Sequence, residues 1–190
     1  MIRKRPGSDK IANLPIARGA IFLIFLAACS PLLNFTPERA AAQAALGNNS
    51  ADLRVDVNSI LALQNQAWGN DRLVLVTFQG LRPNNQVNKC LFIYEVKGAN
   101  LGWSAGSGGG GCVPPDNGKD PLEGFAGSLG QDNQFTSYTY GWINQADISA
   151  VDVNWEDGEI QRVNAVNRSY LAVRDGNHSY TSLQGLNANG

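Results

Sequence analysis

A chain of 190 residues with 43% hydrophobic content has room for one domain of ordinary size and enough apolar material to give it a core. The formal net charge of −1 hides an asymmetry: the first 28 residues carry five Lys or Arg against one Asp, whereas Cys29 to Gly190 carries 10 Lys or Arg against 15 Asp or Glu. An acidic body without a basic cluster argues against nucleic acid as a partner, because phosphates require several cationic contacts, and equally against a polybasic membrane surface.

The basic stretch Arg3 to Arg18 precedes the apolar run Ala20 to Ala28 and then Cys29. This is the layout of a secretory signal, with an apolar stretch shorter than a transmembrane helix needs. Leu26-Ala27-Ala28-Cys29 resembles a bacterial lipobox. That resemblance implies a lipidated Cys29 as mature N-terminus, the membrane as a partner through the lipid, and a place in the bacterial cell envelope. Ordinary signal cleavage at Ala42-Gln43-Ala44 and a retained, uncleaved anchor stay open beside it. All three put the folded part outside the cytoplasm. Residues 1–28 are therefore read as signal or anchor, 29–51, Ala-rich and then Asn-rich, as a flexible tether, transiently helical around Ala40 to Leu46, and 52–190 as the domain.

From residue 52 short β-branched and aromatic runs alternate with Gly, Asn, Asp and Pro, the signature of strands and turns. In the run 53–63 Leu53, Val55 and Val57 fall on one face; 72–80 is apolar enough to be buried on both faces. In 87–98 Cys90, Phe92, Tyr94 and Val96 share a face, so Cys90 points where a core disulfide would lie. Residues 98–133, rich in Gly, Pro and Asp, read as one long loop and as the natural contact region. Strands resume at 134–143. In the next hairpin Val151, Val153 and Trp155 alternate with polar residues, Asp157-Gly158 supplies the positive-φ residues of a tight turn, and Ile160 to Val166 returns. Two further strands, 169–176 and 178–186, follow. The fold class is all-β: an antiparallel sandwich of about eight strands. The segment 151–176 is similar to parts of uncharacterised secreted bacterial β-domains, a likeness that implies the sandwich and no activity.

With Cys29 lipidated or removed, Cys90 and Cys112 remain as a pair that an oxidising compartment would join; two independent buried thiols are the alternative. Residues 101–112, LGWSAGSGGGGC, match two motifs at once. Gly102 to Gly106 fits G-x-S-x-G, and Ser104 with His178, the single histidine, and an intervening acid could complete a hydrolase triad. The glycines and prolines after Ser104 cannot propagate the helix that a nucleophile elbow requires, and the G-x-G-x-x-G match of Gly106 to Gly111 fails for the same reason. Asp116, Asp120 and Glu123 could offer oxygen ligands to calcium, although their spacing is that of no known calcium loop. Trp103 with Tyr138 and Tyr140 could form an aromatic surface for a glycan or protein partner, whereas Trp142 and Trp155 read as core. No cofactor is implied. The expected function is a non-enzymatic, membrane-tethered binding or interaction module outside the cytoplasm, with a small secreted serine hydrolase or a purely structural envelope protein as alternatives.

Overall fold

A computed structural model describes residues 35–114, 120–131 and 134–188. Among the described residues one helix, α1 (Pro37–Ala45), is followed by a single 3-10 turn and ten strands: β1 (Arg54–Trp68), β2 (Asp71–Leu81), β3 (Val87–Ala99), β4 (Gly102–Val113), β5 (Leu122–Gln131), β6 (Gln134–Ile143), β7 (Ile148–Trp155), β8 (Ile160–Asn164), β9 (Ser169–Asp175) and β10 (Tyr180–Asn187). They form three sheets with strand orders β1-β2-β3-β4, β5-β6-β9 and β10-β7-β8, and every named pairing is antiparallel. The all-β sandwich class expected from the sequence is what the chain adopts.

The alternation of each strand explains how the layers meet. In β2 and β3, Val74, Val76, Phe78, Cys90, Tyr94 and Val96 face one side, and Leu73, Leu75, Leu91 and Ile93 face the other. The second set packs on Tyr140, Trp142 and Leu171 of the second sheet. That sheet's opposite face supplies Ile143, Tyr170 and Ala172, which meet Val151, Val153 and Trp155 of β7. Trp142 and Trp155 are core residues, as read from the sequence, at 4% and 2% exposure.

The first face of the β1–β4 sheet is closed by α1. Its buried Ala40, Ala41 and Ala45 form one cluster with Val74, Val76 and Phe78. Thr36 caps the helix, accepting from the Arg39 backbone N–H at 3.2 Å, and Pro37 occupies the first turn, where a missing N–H costs nothing. This corrects the expectation of a flexible tether reaching residue 51. The Ala-rich segment lacks large apolar residues because alanine lets the helix backbone approach the sheet closely.

Three further expectations need correction. Residues 98–133 are not one loop, since β4 and β5 occupy most of them. Val57 does not share the face of Val55: it is 60% exposed, because the β1–β2 register shifts between Asp56 and Leu61 and turns Val57 outward. The 155–160 turn is not built on two positive-φ residues, since only Gly158 is left-handed (φ 85°), with Trp155 N–H donating to Glu159 O at 2.9 Å. A true two-residue turn lies instead at Asn167-Arg168 (φ 49° and 59°), bracketed by reciprocal Val166 and Ser169 bonds of 2.9 Å. The Arg168 guanidinium donates to the carbonyls of Ile143 and Asn144, which ties that turn to the end of β6.

Candidate functional site

Strand β4 carries the segment that matched two motifs. It runs antiparallel to β3, with Tyr94 opposite Gly108, Phe92 opposite Gly110 and Cys90 opposite Cys112. Cys90 and Cys112 are joined by a disulfide across the ladder, their Cα atoms 4.0 Å apart. So close an approach marks a non-hydrogen-bonded pair. Stepping by two along the ladder, the N–H and C=O groups of Gly110 and Gly108 also point away from β3, toward the free edge of the sheet.

Glycine is a poor strand former because it offers nothing to pack and much entropy to lose. Here neighbouring aromatic rings compensate by lying over the bare backbone. Phe92 covers Gly110 and Tyr94 covers Gly108, so near that a Cβ on either glycine would stand 2.6 Å from a ring carbon. Phe92 is itself stacked between Phe78 and Tyr94, with ring centroids 5.4 and 6.3 Å away. Tyr94 Oη accepts from the Asn48 side-chain amide at 2.5 Å, which ties the turn after α1 to this strand, and burial pushes its phenol above the ordinary tyrosine value. On the opposite face Tyr140 Oη donates to the Gly109 carbonyl at 3.0 Å.

Beside Gly109 lies a cleft of about 90 Å³ lined by Leu73, Ile93, Glu95, Ser107, Leu129 and Tyr138. Glu95, 7% exposed, is held from two sides: Ser107 Oγ donates to it at 2.9 Å and Lys97 Nζ lies 3.1 Å away. Nothing in the motif reading singled out Glu95, although it is the one charge inside the apolar run CLFIYEV. A larger cleft of about 320 Å³ opens between the start of β5 and strands β7 and β10, with Leu122, Ile148 and Leu183 as apolar walls and Gln145 and Asp147 as polar ones.

The structure distributes the sequence-derived residues rather than gathering them. Ser104 is exposed, within a regular strand and opposite Lys97, not on a strand-to-helix turn. His178 lies between β9 and β10, its backbone N–H donating to Ser137 Oγ at 2.7 Å and its Nδ1 3.7 Å from Asp157. No hydrogen bond joins Ser104 to His178 among the described residues. The carboxylate beside the histidine is itself gripped by Arg174 at 2.8 and 2.5 Å, which holds the Asp157 carboxyl below the usual range.

Trp103 is half-buried on the α1 side of its sheet, with the Arg72 guanidinium 5.7 Å from its ring, whereas Tyr138 and Tyr140 belong to the core between the first two sheets. The three do not form one surface. Tyr140 is only 2% exposed, since the alternation of β6 turns it inward. Of the calcium candidates, Asp116 lies outside the described residues; the Asp120 carbonyl accepts from Asn144 at 2.9 Å, and Glu123 sits opposite Trp142. Among the described residues no three His, Cys, Asp or Glu side chains gather as a metal site. Cys29 and the apolar run before it also lie outside the described residues. Among those described, no helix is long and apolar enough to cross a membrane. Comparison with known protein families, curated proteins and solved structures gives no match.

Proposed function

We propose that this chain is a non-enzymatic binding or interaction module that works outside the cytoplasm of a bacterium and is tethered to the membrane through a lipidated Cys29. The observation that carries the reading is the place of α1 in the core. Signal cleavage after Ala44 would strip Ala40 and Ala41 from the cluster of Val74, Val76 and Phe78 and leave that face bare. Processing before Cys29 keeps the helix and leaves only a short link between lipid and domain. The core thus favours the lipobox over the A-x-A site. The Cys90–Cys112 disulfide supports an oxidising compartment.

The interaction reading is supported by where exposed, unoccupied hydrogen-bonding capacity lies. The outer edge of β4 offers a row of backbone donors and acceptors to another chain. Intact mass of the membrane-extracted protein tests the tether. A chain starting at Cys29 and carrying a diacylglyceryl mass is expected. A start at Ala45 or an uncleaved chain would overturn lipidation, and recovery from the cytosol with free Cys90 and Cys112 would overturn the compartment as well.

A further inference from the structure

We infer that two copies of this chain pair through β4, antiparallel across a two-fold axis, so that their four-stranded sheets join into one continuous sheet. This rests on the interaction reading and gives it a partner; it does not depend on how the N-terminus is processed.

The first ground is the chemistry of the edge. Cys112, Gly110 and Gly108 turn their N–H and C=O groups outward, and no other described residue hydrogen-bonds to them. Past the register shift between Tyr94 and Val96, the same parity turns Ala105 outward, since β3 carries the ladder bonds of that stretch on Glu95 and Lys97. The edge is therefore long. Over Gly108 to Gly111 it also lacks side chains that could hold a second backbone away.

The second ground is charge. β4 contains no Asp, Glu, Lys or Arg, although residues 29–190 carry a net charge of −5. Two acidic copies approach most cheaply where neither carries charge, and an uncharged edge meets itself without like-charge repulsion. Of the other five edges of the described sheets, four carry charged residues that discourage pairing. β1 carries Arg54 and Asp56 and is broken by two register shifts; β8 is five residues long and carries Arg162; β9 ends in Arg174 and Asp175. β5 carries Glu123, and β10, also uncharged, offers eight residues against the twelve of β4. A two-fold axis through an antiparallel edge strand restores the antiparallel pattern that the sheet already uses.

The test is the association state of the full-length protein purified in detergent, by light scattering corrected for detergent and over a range of concentrations. Wild type should dimerise. Ala105→Pro removes one outward N–H while sparing the β3 ladder, as proline is tolerated on edge strands, and should weaken the dimer at least tenfold. Ser104→Lys, at an exposed position of the same strand, adds charge beside the seam and should weaken it similarly; Ser104→Ala should not. Near-ultraviolet circular dichroism confirms that each variant is folded. A wild type monomeric up to about 100 µM, or a dimer indifferent to both substitutions, overturns the pairing. A monomer whose β4 edge instead binds a different protein also overturns it while leaving the broader interaction reading intact, and the tether is decided separately by mass.

Discussion

Phe92 occupies the space into which a side chain at Gly110 would project: a Cβ there would lie 2.6 Å from Phe92 Cγ and closer still to the Leu91 carbonyl oxygen. Gly110→Ala must therefore move either the ring or the β3 backbone, and overpacking of this kind costs about 1–3 kcal/mol. One residue earlier the same substitution meets open space. Gly109→Ala should be neutral or stabilise by up to about 1 kcal/mol, because alanine restricts the unfolded chain more than glycine does. Urea unfolding of the two variants, compared at unchanged m-value, checks the contrast; equal midpoints would mean that the ring does not hold the glycine strand.

The disulfide sits at one end of the same ladder. Cys90 is fully buried and its partner lies 22 residues away, a separation for which closing the loop stabilises by roughly 3 kcal/mol. The double variant Cys90→Ala/Cys112→Ala should lose about that much and should become insensitive to reductant. Wild type should lose a comparable amount on reduction, with two thiols then open to alkylation. A wild type that takes up label without reductant would show that the bond does not form.

How much of this was legible in the sequence depended on whether a strand packs through its own side chains. In β2, β3 and β7 the alternating Val, Leu, Ile and Trp residues declare strand and core together, and Cys90 was placed on the correct face by counting in twos. β4 could not be read that way: the side chains that bury it, Phe92 and Tyr94, belong to β3. β5 was hidden likewise, with Gly127 under Tyr138 and Gly130 under Phe135. The helical tendency around Ala40 to Leu46 was legible, but the docking of α1 was not, because three small alanines, not a broad apolar stripe, make its contact. For the site, local motif matches around Ser104 said nothing about its distance from His178, which is set by topology, and Trp103 and Tyr140 proved to lie on opposite faces of the first sheet.

Two carboxylates give the domain a defined acid response. Asp152 receives a bidentate bond from Arg162, 2.8 Å at each oxygen, and Asp157 one from Arg174; hydrogen bonding to those guanidiniums holds both carboxyls below the ordinary Asp range. A carboxyl whose folded value is depressed contributes stability that is present above the unfolded value of about 3.9 and is lost as pH falls through the lower folded value. Melting temperature should therefore be level near neutrality and fall below about pH 4. Both pairs are partly open to solvent, through Arg162 in one and Asp157 in the other, so the contribution is small and screened by salt. Arg162→Gln should bring the Asp152 titration, followed by carbon-13 NMR of its carboxyl, back up toward the ordinary value. An unmoved titration would remove Arg162 as its cause.

Ala41 links the fold to the processing of the chain. It is fully buried against the first sheet, whereas Gln43, two residues on, is exposed. Ala41→Asp would place a carboxylate in the apolar cluster of Val74, Val76 and Phe78, so the helix must either detach or carry a protonated acid. Detachment bares the β2–β3 face and should show as binding of a hydrophobic dye and a loss of about 2–4 kcal/mol, while Gln43→Asp should change stability by less than about 0.5 kcal/mol. A chain begun at Ala45 should behave like Ala41→Asp, because both leave the same apolar surface uncovered. If that shortened chain proves as stable as one begun at Cys29, α1 is dispensable, and the reason for preferring processing at Cys29 over processing at Ala44 disappears with it.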